Sequence, residues 1–300
     1  MSLYEYQLCG WHVRSEIFLP ELPEWTGAGA GEDLIIEEGP VPERLDGFEG
    51  PSPWLSVSPD GSVLLSIQNL VRILIRDGRS IRVDRVQTQD EGWRLFLLGS
   101  ALAYLCLQRG LFPLHAACVR VGTRTLAIAG HSGAGKSTLA AVLLRRGHCL
   151  LSDDLTVLQT SQDRGIEVLP AFPRLKLWRE TMDALEIPVN GLPQIRPGMN
   201  KYDLRPHAGF DVSTKHLDAV LVLRDAPSPL LKRCTPSEAL PMLHGYLSRP
   251  QVAHRLGLRA ATFAQAAAVG RITPVWELHR PRSFDALDAT ADLIEANFTP

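Results

Sequence analysis

Thr125-Leu126-Ala127-Ile128-Ala129-Gly130-His131-Ser132-Gly133-Ala134-Gly135-Lys136-Ser137-Thr138-Leu139 is the stretch on which the reading of this chain turns. Its first five residues are an apolar, β-prone run. Its last residues open a helical pattern that continues through Val142 and Leu143 to Arg145, Arg146 and Gly147. Between strand and helix, Gly130 to Ser137 matches G-x-x-x-x-G-K-[ST] at every fixed position, the pattern of a phosphate-binding loop. Glycines let main-chain amides approach phosphate oxygens without a Cβ in the way. The helix that follows offers unpaired N–H groups and a positive dipole end to an anion. Lysine is scarce in the chain, with only Lys136, Lys176, Lys201, Lys215 and Lys232, so one inside this loop carries weight. The nucleotide-binding candidates are Gly130, His131, Ser132, Gly133, Ala134, Gly135, Lys136, Ser137 and Thr138. Lys136 is placed to meet the β- and γ-phosphates, and Ser137 to offer its hydroxyl to Mg²⁺.

Downstream, the helix is followed by a short strand, His148-Cys149-Leu150-Leu151, which ends at Ser152-Asp153-Asp154. Open α/β sheets place their sites at the carboxyl ends of strands, so an acid here can face the phosphate loop. Successive strand residues point to opposite sides, so the two acids are expected to do different work. Phosphoryl transfer to a hydroxyl uses a carboxylate that accepts the hydroxyl proton, and a metal that neutralises oxygen charge.

Upstream, residues 1–92 read as a β-rich domain. Apolar runs such as Leu34–Ile36, Val63–Leu65 and Ile73–Ile75 alternate with turn signals at Asp60-Gly61 and Asp77-Gly78. Gly27–Gly31 reads as a loop, and His12, Glu16 and Asp33 as surface or turn residues. Residues 93–300 read as the nucleotide-binding domain. They begin with a buried helix ended by Gly110, and include strands at His115–Val121, Thr156–Leu158, Ile166–Leu169, Ala219–Leu223 and Ile272–Leu278 and a closing helix at 284–296. The fold class is therefore α/β, or α+β over the whole chain.

The 300 residues carry a net charge of −2, which gives no reason to expect a nucleic-acid or anionic-membrane partner. The five cysteines are widely spaced without C-x-x-C, as in a reduced compartment. No leader pattern opens the sequence. The longest apolar run, Leu95 to Leu107, is too short to span a bilayer. A cytoplasmic protein is the expectation.

Gly130–Ser137, followed by Arg146-Gly147-His148-Cys149-Leu150-Leu151-Ser152-Asp153-Asp154 and preceded by His115, resembles the HPr serine kinase/phosphorylase family. A looser resemblance, through Trp11–Glu16, Gln108–Ala117 and Pro173–Trp178, is to HPr-kinase-related proteins encoded beside peptide-biosynthesis enzymes. Some of those are similar to kinases of the C-terminal serine of lasso-peptide precursors. The resemblance implies a P-loop kinase domain like the nucleotide domain of phosphoenolpyruvate carboxykinase, with ATP and Mg²⁺ as cofactors. It implies a serine on a peptide or small protein as acceptor, and a homo-oligomer is open on the same ground. For site residues it implies Lys136 and Ser137 on phosphates and metal, Asp153 as general base, Asp154 as the metal-side carboxylate, and His115 orienting the pair.

The chain departs from the family downstream. A glycine-rich segment with a metal-binding Glu is missing, and Pro173–Trp178 stands in its place with Arg174 and Lys176. These two alternate on a strand-like run and are candidates for binding phosphate or an acidic substrate tail. Lys201 is a weaker candidate of the same kind, expected at the surface. A small-molecule kinase and a nucleotide-gated binding module remain alternatives.

Overall fold

The computed structural model describes residues 3–27, 33–45, 54–86, 91–196, 198–206 and 208–299. The Gly27–Gly31 loop expected from the sequence lies outside these, Gly27 excepted. The fold is mixed α/β, in two compact units. One comprises Met1–Phe112 with Arg249–Thr262. The other comprises Pro113–Ser248 with Phe263–Pro300. The helix expected to open the second domain at residue 93 thus falls in the first unit.

The first unit is built on strands β1 (Tyr4–Leu8), β2 (Trp11–Ser15), β3 (Leu34–Glu38), β4 (Leu55–Val57), β5 (Val63–Ile67), β6 (Val71–Arg76) and β7 (Ser80–Arg85). They form one sheet in the order β1-β2-β3-β7-β6-β5-β4. The β2–β3 and β3–β7 pairs are parallel and the rest antiparallel. Two tight hairpins explain part of this order. Cys9-Gly10 and Asp77-Gly78 both adopt positive φ, the conformation whose twist matches that of the flanking strands. Along β6 and β7 the alternating residues Val71, Ile73, Ile75, Ile81 and Val83 are buried. A helical segment follows as α1 (Trp93–Phe96), a π-helical turn at Leu97–Ala101 and α2 (Leu102–Gln108), then Gly110 at φ +69°. His12, expected at the surface, is buried and stacked on Trp25.

The remaining strands are β8 (Phe112–Leu114), β9 (Ala116–Val121), β10 (Arg124–Ala129), β11 (Cys149–Ser152), β12 (Thr156–Ser161), β13 (Gly165–Leu169), β14 (Leu175–Trp178), β15 (Lys201–Leu204), β16 (Lys215–His216), β17 (Ala219–Asp225), β18 (Leu230–Arg233) and β19 (Val275–Arg280). A six-stranded sheet runs β11-β9-β10-β17-β19-β18, with β10, β17 and β19 parallel. A four-stranded sheet runs β16-β13-β12-β8, and β14 and β15 form an antiparallel ribbon.

The helices are α3 (Lys136–Arg145), α4 (Arg179–Ala184), α5 (Pro236–Gly245), α6 (Pro250–Arg255), α7 (Arg259–Ile272) and α8 (Leu287–Phe298). Leu139 and Leu143 of α3, Val119, Ile128, Leu221 and Leu278 of the sheet, and Ile294 of α8 share one apolar core. Burying such side chains stabilises by about 1.5–3 kcal/mol each, which holds α3 and the loop before it against the sheet. Ile272, expected in a strand, ends α7 instead. The break comes at Thr273-Pro274, because proline disfavours helix at the residue before it, and the strand starts at Val275. No described helix is long and apolar enough to cross a membrane.

Candidate functional site

β10 ends at Ala129, and the chain turns through Gly130–Gly135 into α3. Gly133 (φ +78°) and Gly135 (φ +88°) occupy the left-handed region, which costs L-residues roughly 1–2 kcal/mol. Gly135 is held for a second reason: a Cβ there would collide with the Arg280 guanidinium. No side chain caps α3, so its first amides are open to an anion. Lys136 is buried, and its ammonium donates to the Gly130 carbonyl (3.0 Å), the His131 carbonyl (3.1 Å) and His115 Nε2 (3.0 Å). Burial pulls this ammonium below the ordinary lysine range, and Asp154 and Asp153 oppose the shift.

His115 has one consistent tautomer. Lys136 can only donate, so Nε2 is the bare nitrogen. Nδ1 carries the proton and donates to the Asp154 carbonyl at 2.9 Å. Burial and the Lys136 charge both push the imidazole toward its neutral form, with Asp154 opposing them.

The acidic pair divides. Asp153 Oδ1 accepts from Ser137 Oγ at 2.7 Å, and Oδ2 from the Lys176 amide at 3.0 Å. Burial, reinforced by the Asp154 charge, raises the Asp153 carboxyl above the usual range. Asp154 turns away through a left-handed backbone (φ +70°), a strained conformation that Asp tolerates better than most residues. Its Oδ2 accepts from Lys176 Nζ at 2.8 Å, and its Oδ1 lies 3.4 Å from His115 Nδ1. Burial would raise Asp154, but the Lys176 charge and hydrogen bond, with the Lys201 charge, outweigh it. They hold the carboxyl well below the usual range. The sequence reading set Asp154 beside Ser137 on the metal side and Asp153 toward the acceptor. It is Asp153 that meets Ser137 and Asp154 that lines the cavity, because the carboxyl at the end of β11 reaches α3 before the backbone reverses.

These groups open onto a cavity of about 610 Å³, within the range of small-molecule sites. His115, Lys136, Ser137, Thr138, Asp154 and Lys176 all line it, whereas Asp153 is not part of its wall. Lys201, expected at the surface, lines it too. Arg174 does not. Its guanidinium is buried and donates to Asp203 Oδ1 at 2.8 Å, and Arg205 reaches the same carboxylate. Arg174 therefore braces the β14–β15 ribbon and does not line the cavity where it was expected to bind substrate. His131, Ala134 and Gly130 are loop residues whose side chains or Cα atoms are likewise not part of the wall.

The cavity residues that escaped the sequence reading include two arginines. Arg280, at the end of β19, donates to the Ala134 carbonyl, and Arg282 donates to that of Gly133 at 2.9 Å. The signal was available: Arg280-Pro281-Arg282 closes a parallel strand at its carboxyl end, where such sheets place their sites.

No family model matches the chain, and no curated protein matches it. Among solved structures, the HPr(Ser) kinase/phosphatase from Coxiella burnetii aligns at 14% identity and a TM-score of 0.35, over 62% of this chain and 95% of that one.

Proposed function

We propose that the chain is a phosphotransferase that moves the γ-phosphoryl group of ATP onto a serine hydroxyl of a peptide or small protein. The observation that carries this is the 2.7 Å hydrogen bond from Ser137 to Asp153. It ties the phosphate-binding loop to the acidic pair, and the second acid of that pair faces the same cavity. In P-loop enzymes a loop hydroxyl and a strand-end Asp hold Mg²⁺ together. Ser137 and Asp153 have the hard oxygen donors that suit this ion. Among the described residues no cluster of three or more His, Cys, Asp or Glu is arranged to hold a metal, so phosphate oxygens would complete its shell. Once bound, the ion neutralises charge on the phosphate oxygens.

The chain's own groups do the rest. Loop amides and Lys136 grip the phosphates, and Lys136 is free to do so by exchanging a carbonyl for a phosphate oxygen. Asp154, kept ionised by Lys176, aligns the incoming hydroxyl. The bond from the γ-phosphorus to its bridging oxygen breaks as the bond to the serine oxygen forms. The hydroxyl proton passes to Asp154 late, once the forming O–P bond has made that oxygen strongly acidic, leaving ADP and a phosphoserine. His115, neutral, fixes the Asp154 main chain. Serine as acceptor, and the narrower reading of a C-terminal serine on a lasso-peptide precursor, rest on the sequence resemblance alone.

The test compares two variants. Asp154→Asn should lose at least about 10²-fold in transfer, the usual worth of a positioned base, while still binding nucleotide. Asp153→Asn should instead raise the Mg²⁺ concentration needed for half-maximal turnover. Wild-type transfer by Asp154→Asn would refute the assignment. Phosphorylation of a small hydroxy compound but of no peptide would refute the acceptor.

A further inference from the structure

The β14–β15 ribbon brings more positive charge to the cavity than its own carboxylates neutralise. Lys176 is paired with Asp154, Arg174 with Asp203, and Arg179 with Asp183. Lys201 is different. It stands directly across the ribbon from Trp178, with its Nζ 5.4 Å from the centre of that ring. Among the described residues no carboxylate lies within ion-pair distance of it. Burial pulls its ammonium below the ordinary lysine range, helped by the Lys176 and Arg174 charges, while Asp154 and Asp153 oppose the shift from farther off. A half-buried ammonium with no counter-ion is costly to hold, and an incoming anion repays that cost. Trp178 is 48% exposed and supplies a flat wall on which a peptide can lie.

The cavity as a whole leans the same way. Lys136, Lys176, Arg179, Lys201, Arg280 and Arg282 line it against two carboxylates, Asp154 and Glu180, in a chain whose net charge is −2. The triphosphate has its own partners in the loop and Lys136, and the metal cancels part of its charge. Lys201 neighbours Asp154, the acid assigned to the acceptor. We infer that Lys201, with Lys176 and the Trp178 ring, is an anion site for the acceptor, which therefore carries a carboxylate a few bonds from the hydroxyl that is phosphorylated. This rests on the phosphotransferase reading for which molecule arrives, and on the ribbon's own contacts for the charge it must bear.

Three N-acetylated pentapeptides with a single serine test it. One is amidated with neutral neighbours. One is amidated with Asp beside the serine. One ends in the serine with a free carboxylate. Binding is measured by calorimetry to protein loaded with Mg²⁺ and a non-hydrolysable ATP analogue, and transfer from ATP is followed by mass. An anionic peptide should bind about tenfold tighter than the neutral one, or ~1.4 kcal/mol. The better of the two reports whether a side-chain or a terminal carboxylate is read. Lys201→Met should erase the preference without changing analogue affinity, and Lys201→Arg should keep it, which separates charge from folding. Equal binding of all three peptides, or none, overturns the site. So does a Lys201→Met variant that keeps the preference or weakens the analogue instead. An anionic peptide that binds through Lys201 but is never phosphorylated leaves the site standing and refutes the peptide-kinase reading.

Discussion

At Gly135 two constraints meet: a left-handed backbone and the Arg280 guanidinium where a side chain would go. Gly135→Ala should therefore destabilise by roughly 1–2 kcal/mol from backbone strain alone and weaken nucleotide binding by displacing Arg280. Thermal melts and calorimetry with ATP read both, and an alanine variant with wild-type affinity would contradict this packing. Asp153 makes a prediction of opposite sign. Its folded-state pKa is raised by burial and by the Asp154 charge, so its contribution to stability is present below the unfolded value and lost as pH rises through the folded one. Asp153→Asn should melt above wild type at neutral pH, with the gap closing as pH falls to about 4, the ordinary carboxylate value. A gap independent of pH would show that Asp153 is not strained by its charge. The phosphate-loop residues were legible because their chemistry demands fixed types at fixed spacing. Which aspartate meets Ser137 and which faces the cavity was not, because it depends on a single positive φ at Asp154.

Element by element, the strands were legible where apolar runs lie between turn signals, as at β3, β5 and β6. The ribbon was half legible. Alternation suggested one face for Arg174 and Lys176, but the residues across the ribbon, Asp203 opposite Lys176 and Lys201 opposite Trp178, arrive from a strand more than twenty residues on. So one cation became a buried brace and the other a cavity wall, and Lys201 was read as surface. The brace is testable. Arg174 and Asp203 are only 7% and 4% exposed, and removing one partner of a buried ion pair costs about 3–5 kcal/mol. Asp203→Ala, which leaves the buried Arg174 guanidinium without its carboxylate, should lose that much in urea denaturation. A loss under ~1 kcal/mol, the size of an exposed pair, would mean that the pair does not hold the ribbon. At α5, Thr235 and Glu238 form a reciprocal cap, and Thr235→Ala should cost about 1 kcal/mol in the same assay.

Over the whole molecule, a net charge near zero conceals an uneven distribution: three of the five lysines, Lys136, Lys176 and Lys201, line one cavity. Composition alone gave no reason to expect a nucleic-acid or anionic-membrane partner, and could not reveal a concentration of charge that the topology creates. The make-up of the two compact units could not be read from a single cut along the sequence, since the first unit also takes in Arg249–Thr262 from far along the chain. If the cavity is the nucleotide site, MgATP should raise the melting temperature of the intact chain, by about 2.7 kcal/mol of stability at a hundredfold excess over Kd. Lys136→Ala should lose most of that shift. The most direct measurement is the fate of label from γ-³²P-ATP, incubated with Mg²⁺, a serine peptide, and either wild-type protein or Asp154→Asn. Peptide-bound label is expected with wild type, and none with the variant although it still binds ATP. Label released only as free phosphate by wild type, or carried to the peptide equally well by the variant, would contradict it.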